Sequence, residues 1–218
     1  MIAEAVACNV EIMAVFLSHQ YGHAKTLAVP EPYILSDKLF NNIAQTETSQ
    51  GIIAIVKKRD DTQSAFFSHC KAGNVLVLDR LQDLGNIGTM IRTADAAGYK
   101  GVIAIKGTGD IFSPKVVRAA AGSLFRMPIL LFDTAAEALA ALKAQGKKVV
   151  GTCFEAKADY FDVDLKSDVA LLIGNEGGGL SKELMAGADV NVKIPMEPTV
   201  DSLNAAVAAG ILMYESKR

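Results

Sequence analysis

Short strand-like runs recur through the last two thirds of the chain: VLVL at 75–78, VIAI at 102–105, VVGTC at 149–153 and VALLI at 169–173. They do not alternate apolar with polar residues, as a strand with one wet face would. A strand that is apolar at nearly every position is buried on both faces, the mark of a parallel sheet sandwiched between helices. The segments between the runs read as helices. Residues 86–97 end at Gly98. Ser113 and Pro114 make an N-cap followed by proline at the first helical position. An Ala-rich stretch, 134–145, stops at Gly146, and the last helix covers 202–215. One more strand lies within 125–132. The expected fold class is α/β, a mostly parallel sheet with helices on both faces.

The first 60 residues read differently. Ile2, Val6, Val10, Met13 and Phe16 or Leu17 follow near-helical spacing. Pro30 and Pro32 mark an extended turn, Ser36 caps a short helix through Ile43, and GIIAIV at 51–56 is a strand. The charged run 57–61 closes this module. The expected organisation is a first domain over 1–60, a linker over 61–73 and a larger domain over 74–218.

Composition removes several function classes. Hydrophobic residues make up 50% and charged residues 21%, which excludes a largely disordered chain. Twenty-two basic against 24 acidic residues exclude a globally basic nucleic-acid binder, though not a local basic patch. Cys8, Cys70 and Cys153 form no CxxC pair, so a reduced, cytoplasmic protein is expected. His19 and His23 stand four apart with Gly22 between them and no third ligand nearby. They are read as a solvated helix end or loop, and no metal site is expected. The longest uncharged stretch near the C-terminus, 202–214, is too short for a membrane span.

Three clusters stand out from the scaffold. DLGNIGTMIRTA at 83–94 puts two glycines around Asn86 at a strand-to-helix turn, with Arg92 further along the helix. LLIGNEGGGLS at 171–181 runs a buried strand into a loop with four glycines in six positions. In open α/β sheets, ligands bind beyond the carboxyl ends of the strands. Glu176 in that loop would repel a phosphate, and no Lys-Ser or Lys-Thr closes it, so it is not a phosphate-cradling loop. VKIPME at 192–197 precedes DSLNAAVAAG at 201–210, where Ser202 reads as an N-cap.

In this order and spacing the clusters resemble the SpoU/TrmH branch of the SPOUT RNA methyltransferases. The carriers are NIGTMIRTA (86–94), GNEGGG (174–179), and IPM (194–196) with SLNAAVAAGI (202–211). SPKVVRAAAGSLFR (113–126) is similar to the family as well. The resemblance covers about 74–218. Residues 1–60 look like a small α/β, ribosomal-protein-like RNA-binding domain, shortened at its start, with 46–51 resembling its closing segment.

The resemblance implies transfer of a methyl group from S-adenosylmethionine to a ribose 2′-hydroxyl of rRNA or tRNA, without a metal. It implies an α/β-knot fold whose C-terminal segment forms a trefoil knot, and a homodimer. Arg92, Asn86, Glu176, Ser202 and Asn204 match the family's catalytic positions. Gly174, Ile194, Met196 and Leu203 would bind the cofactor. Lys115, Arg118 and Arg126 are candidate RNA contacts. Arg92, whose guanidinium stays protonated, is a poor general base and suits a phosphate grip. The competing expectation is a non-catalytic RNA- or cofactor-binding relative.

Overall fold

The structure, a computed structural model, describes residues 1–21, 29–44, 49–59, 61–200 and 202–218. The chain divides into two compact units, Met1–Asp60 and Asp61–Arg218.

In the first unit, α1 (Ile2–Ala7) leads into β1 (Ile12–Ser18), followed by β2 (Tyr33–Leu35), α2 (Asp37–Ile43) and β3 (Ile52–Val56). The strand order is β2-β1-β3, with β1 parallel to β2 and antiparallel to β3. The helical spacing expected over 1–20 therefore holds only for six residues. Asn9 takes a left-handed turn, and Val15 and Leu17 then bury with the period of two that belongs to a strand. Ile2, Val6 and Val10 mimicked a longer helix because a short helix and a strand, read end to end, can share a four-residue spacing. Ser36 caps α2 as expected, accepting from the Leu39 N–H. His23 and residues 46–48 lie outside the described residues.

The second unit holds α3 (Gln63–His69), β4 (Val75–Asp79), α4 (Leu84–Ala96), β5 (Gly101–Ile105), α5 (Pro114–Ala119), β6 (Ile129–Phe132), α6 (Ala135–Ala144), β7 (Lys148–Thr152), β8 (Ala158–Asp159), β9 (Val169–Ile173), α7 (Lys182–Gly187), β10 (Val190–Lys193) and α8 (Ala205–Glu215). Residues 61–73 are not a linker: α3 occupies their centre and sends Phe66 and Phe67 into the core. The sheet order is β6-β5-β4-β9-β7-β10-β8, and every described pairing in it is parallel. All five residues of β4 and of β9 are buried. Alternate side chains feed opposite layers. Leu76, Leu78 and Leu171 join one core with residues of α4, α5 and α8, while Val75, Val77 and Leu172 join another with residues of α3, α6 and α7. This two-sided burial is why the runs lack alternation.

Helix starts shift from those expected. Helix α4 begins two residues before Asn86, because Asp83 accepts from the Asn86 N–H at 2.7 Å and is the N-cap. Helix α8 is capped by Asn204, which accepts from the Ala206 and Val207 N–H groups; Ser202 lies outside the helix. Thr134 and Glu137 form a capping box on α6. Ser113 stands at the N-cap of α5, but its buried hydroxyl makes no cap bond. Strands β2, β8 and β10 and helix α7 are too short to register as periodic segments.

The chain lays β4, β5 and β6 out in one direction, then returns to the other side of β4, where β9 enters between β4 and β7. The order reverses beside β4, and a reversal of this kind opens a crevice at the carboxyl ends of the strands.

Candidate active site

The segments leaving β4, β7, β9 and β10 meet at that end of the sheet. Asp83 and Asn86 open α4, which follows β4. Glu176 sits in the glycine loop after β9, and Asn204 starts α8 after β10. Their side chains form one hydrogen-bonded chain. Asn204 Nδ2 donates to Asn86 Oδ1 at 3.1 Å, and Asn86 Nδ2 donates to Glu176 Oε1 at 3.3 Å. The Glu176 carboxylate also accepts from the Gln82 and Asp83 N–H groups, at 3.4 Å each. It thus faces the N-terminal turn of α4, where negative charge is favoured. Burial pushes its carboxyl up. The bonds from its own backbone, Asn86, Gln82 and Asp83 outweigh this and hold it below the usual range.

The glycine loop is itself ordered by a side chain. Asn175 Oδ1 accepts from the Gly177 and Gly178 N–H groups at 3.0 Å, and Asn175 and Gly179 exchange two backbone bonds. Gly174 has no room for a side chain: a Cβ there would run into the Gly179 and Leu180 backbone. At Gly88, one turn into α4, a Cβ would strike Ala119 and the Val116 carbonyl, so this glycine allows α4 and α5 to touch.

Beside the polar chain lies a cavity of about 180 Å³. Ile194, Met196, Ser202 and Leu203 line it, with Thr152, Cys153, Phe154 and Lys193 among the rest. Leu203 faces the cavity and the next residue, Asn204, joins the polar chain. Gly174, which directly follows β9, is not in the wall. The walls are mainly aliphatic and thioether, which suits an apolar heterocycle. The volume falls below the roughly 300 Å³ of whole-ligand pockets, so this cavity takes one end of a small molecule. A larger space of about 410 Å³ lies against 161–166, Glu215 and Arg218, away from all three motifs.

Apart from Gly174, the sequence-derived residues therefore divide into four groups. Asn86, Glu176 and Asn204 are bonded together. Ile194, Met196, Ser202 and Leu203 share the cavity, although Ser202 was expected beside the catalytic groups. Arg92, Lys115 and Arg118 are exposed, on α4 and α5, and among the described residues no ion pair or hydrogen bond engages their side chains. Arg126 instead pairs with Asp95, at 3.2 and 2.7 Å. Sequence reasoning missed Asp79 and Arg80, whose side chains bond to the backbone at Ser181 and Gly179, and Gln82, whose N–H donates to Glu176. The one available signal was an aspartate closing the apolar run VLVLD. Among the described residues, no group of three His, Cys, Asp or Glu is placed to hold a metal, and no helix is long and apolar enough to cross a membrane.

Residues 73–214 match the SpoU rRNA Methylase family. The chain is 40% identical over 182 residues to the 23S rRNA (guanosine(2553)-2′-O)-methyltransferase RlmP of Bacillus subtilis (strain 168), covering 84% of this chain and 71% of that protein. Two solved structures superpose with a TM-score of 0.86. One is the SpoU methyltransferase AviRb from Streptomyces viridochromogenes, 30% identical, covering 99% of this chain and 84% of that one. The other is the AdoMet-bound rRNA methyltransferase from Sinorhizobium meliloti, 34% identical, covering 99% and 83%. The matched span holds all three motifs and every side chain of the polar chain, and on that ground the chain belongs to the SpoU rRNA methylase family.

Proposed function

We propose that this protein transfers the methyl group of S-adenosylmethionine to a ribose 2′-hydroxyl of RNA, with rRNA favoured over tRNA by the names of its relatives. The observation that carries the reading is the hydrogen-bonded chain Asn204–Asn86–Glu176 beside the apolar cavity. When bound, the cofactor supplies an electrophilic methyl carbon on a sulfonium. The residues present fit it: Ile194, Met196 and Leu203 offer apolar walls for its heterocycle, and Gly174 leaves backbone rather than side chain at the strand end.

The chain's own groups then divide the work. Arg92, exposed and without a side-chain partner among the described residues, grips a backbone phosphate through a forked contact and holds the ribose in line. Lys115 and Arg118 extend this basic edge. Arg126 joins it by exchanging Asp95 for a phosphate. Glu176 is held ionised by the bonds it accepts, and a carboxyl with a lowered pKa is a weak general base at neutral pH. Its role is to fix Asn86, and through it Asn204, at the acceptor ribose. Ser202 contributes its hydroxyl at the cavity rim. In-line displacement on a sulfonium needs no metal, so protein treated with a chelator is expected to keep its activity.

The family resemblance supports the remaining parts of the reading. They are a trefoil knot formed by the C-terminal segment, a homodimer, a cytoplasmic location beside the RNA, and a first unit, 1–60, that docks RNA while 74–218 carries the chemistry.

The test is tritium transfer from labelled cofactor to unmodified 23S rRNA and tRNA transcripts, followed by alkaline hydrolysis. Label in alkali-resistant dinucleotides is expected, because a 2′-O-methyl group blocks cleavage at that linkage. Label confined to mononucleotides, or transfer undiminished in Arg92→Ala, would overturn the reading.

A further inference from the structure

Arg80 lies between β4 and α4 with φ 56, in the left-handed region that favours glycine or asparagine. Keeping a long charged side chain there runs against backbone preference, and such outliers gather where a side chain has a task. Its Nε donates to Asp79 Oδ1 at 3.0 Å, and its Nη2 donates to Asp79 Oδ2 at 3.2 Å and to the Gly179 carbonyl at 3.3 Å. Asp79 is almost fully buried, and its Oδ2 also accepts from the Ser181 N–H at 2.7 Å. The Arg80 backbone takes part too. Its N–H donates to Thr108 Oγ1, and its carbonyl accepts from Asn175 Nδ2 at 2.9 Å and from Gln82 Nε2.

The glycine loop is thus tied to the end of β4 at three points: Asn175, Gly179 and Ser181. Glu176 sits between the first two. Its own bonds to Gln82, Asp83 and Asn86 are long, 3.3 to 3.4 Å, and three glycines follow it. Glycines bring no side chains to hold the segment, so its order depends on Asn175 and on the contacts that reach it from outside the loop. An exposed ion pair would add little. This one has a buried carboxylate whose second oxygen is shared with the loop backbone, so the pair and the loop form one network.

We propose that Arg80, with Asp79, is a positioning residue: a latch that fixes the 175–181 loop and so holds Glu176 against Asn86. The inference rests on the methyltransferase reading for its kinetic consequences, but not for its structural ones. The latch acts on Glu176 rather than on the cofactor cavity, which is walled by 152–154 and by residues from 192 onward.

Arg80→Gly fits the backbone angle and removes the guanidinium. Lost pairing and relieved strain oppose each other, so the melting midpoint is expected to stay within about 3 °C. Amide hydrogen exchange over 175–181 should quicken by about tenfold or more, while α6 and β5 exchange as before. With unmodified 23S rRNA transcript, kcat should fall about tenfold, and the calorimetric Kd for S-adenosylhomocysteine should move less than about threefold. Arg80→Lys, which keeps the charge but not the fork, should recover part of the loss. Arg80→Gly combined with Glu176→Gln should be no slower than Glu176→Gln alone, because both act on one contact.

Unchanged exchange in the loop in Arg80→Gly overturns the latch. Additive losses in the double variant, or a loss of cofactor affinity that matches the loss of kcat, overturn its action through Glu176. Wild-type protein that methylates no transcript would sink the functional reading, while the exchange measurement would still decide the latch.

Discussion

At the amino ends of the strands, Lys147 is buried up to its ammonium, which donates to the Lys71 and Gly73 carbonyls and to Asp168 Oδ1 at 3.3, 2.8 and 3.0 Å. Beside it Asn74, also buried, donates to the Leu165 carbonyl and accepts from the Val169 N–H. At the carboxyl ends the same residue types occur: two asparagines, a carboxylate and a cation. Yet Glu176 and Arg92 are exposed, the bonds to Glu176 are long, and Arg92 has no side-chain partner among the described residues. A buried cation that has spent all three of its donors can only stabilise. One that has spent none is available to a ligand. Closure of the hydrogen-bond inventory, rather than polarity, separates the structural network at one end from the network proposed to be reactive at the other.

The contrast breaks most visibly at Arg92. Arg92→Ala is expected to lower methyl transfer by about 100-fold or more, with a melting curve that overlays the wild type, since an exposed side chain without partners contributes little to stability. A matching loss of stability would show that the carboxyl end is also part of the scaffold. Lys147→Met should do the reverse. It leaves two carbonyls and Asp168 short of a donor, so denaturant titration should show a loss of about 3 kcal/mol, with turnover per folded molecule unchanged.

Glycines sharpen the comparison. Gly174→Ala places a Cβ on the Gly179–Leu180 backbone, where no flexible side chain can yield, and should cost about 2 kcal/mol. Gly146, before Lys147, has φ 68 but open space around it. Gly146→Ala should cost only about 1 kcal/mol of backbone strain, again by denaturant titration. Equal losses at the two would mean that the close approach at Gly174 is not real.

The smallest expected effect is on pH dependence. The Gly73 N–H and Lys147 hold the Asp168 carboxyl below the usual carboxylate range. A carboxyl lowered on folding contributes stability above its ordinary value, near pH 4, and loses it as pH falls through the folded value. Asp168→Asn keeps the shape and tolerates the left-handed φ of 55. Below about pH 4 its melting midpoint should fall less steeply than that of the wild type. Identical slopes would remove Asp168 from the network's acid response.

The continuous strands were legible because burial on both faces leaves a mark on every residue: β9 spans Val169–Ile173, the run read from the sequence. Helix α3 was not, because seven residues with two adjacent phenylalanines make no period. Within the site, Asn86, Glu176 and Asn204 were legible as motif positions. Asp79 and Arg80 were not, because one acid closing a strand and one arginine after it look like an ordinary surface turn. Only the left-handed φ and the buried carboxylate distinguish them.

Local pattern carried the fold class, the helix cap at Ser36, and the three motifs. Those properties are encoded over a few neighbouring residues. Bringing Asn86, Glu176 and Asn204 into one chain required pairs 90 and 118 residues apart in sequence. It depended on β9 entering between β4 and β7, a choice that no local spacing records. The same holds for which polar network closes on itself and which stays open, since both draw on the same side chains. Burial and partner count, set by the packed sheet and its helices, made the difference.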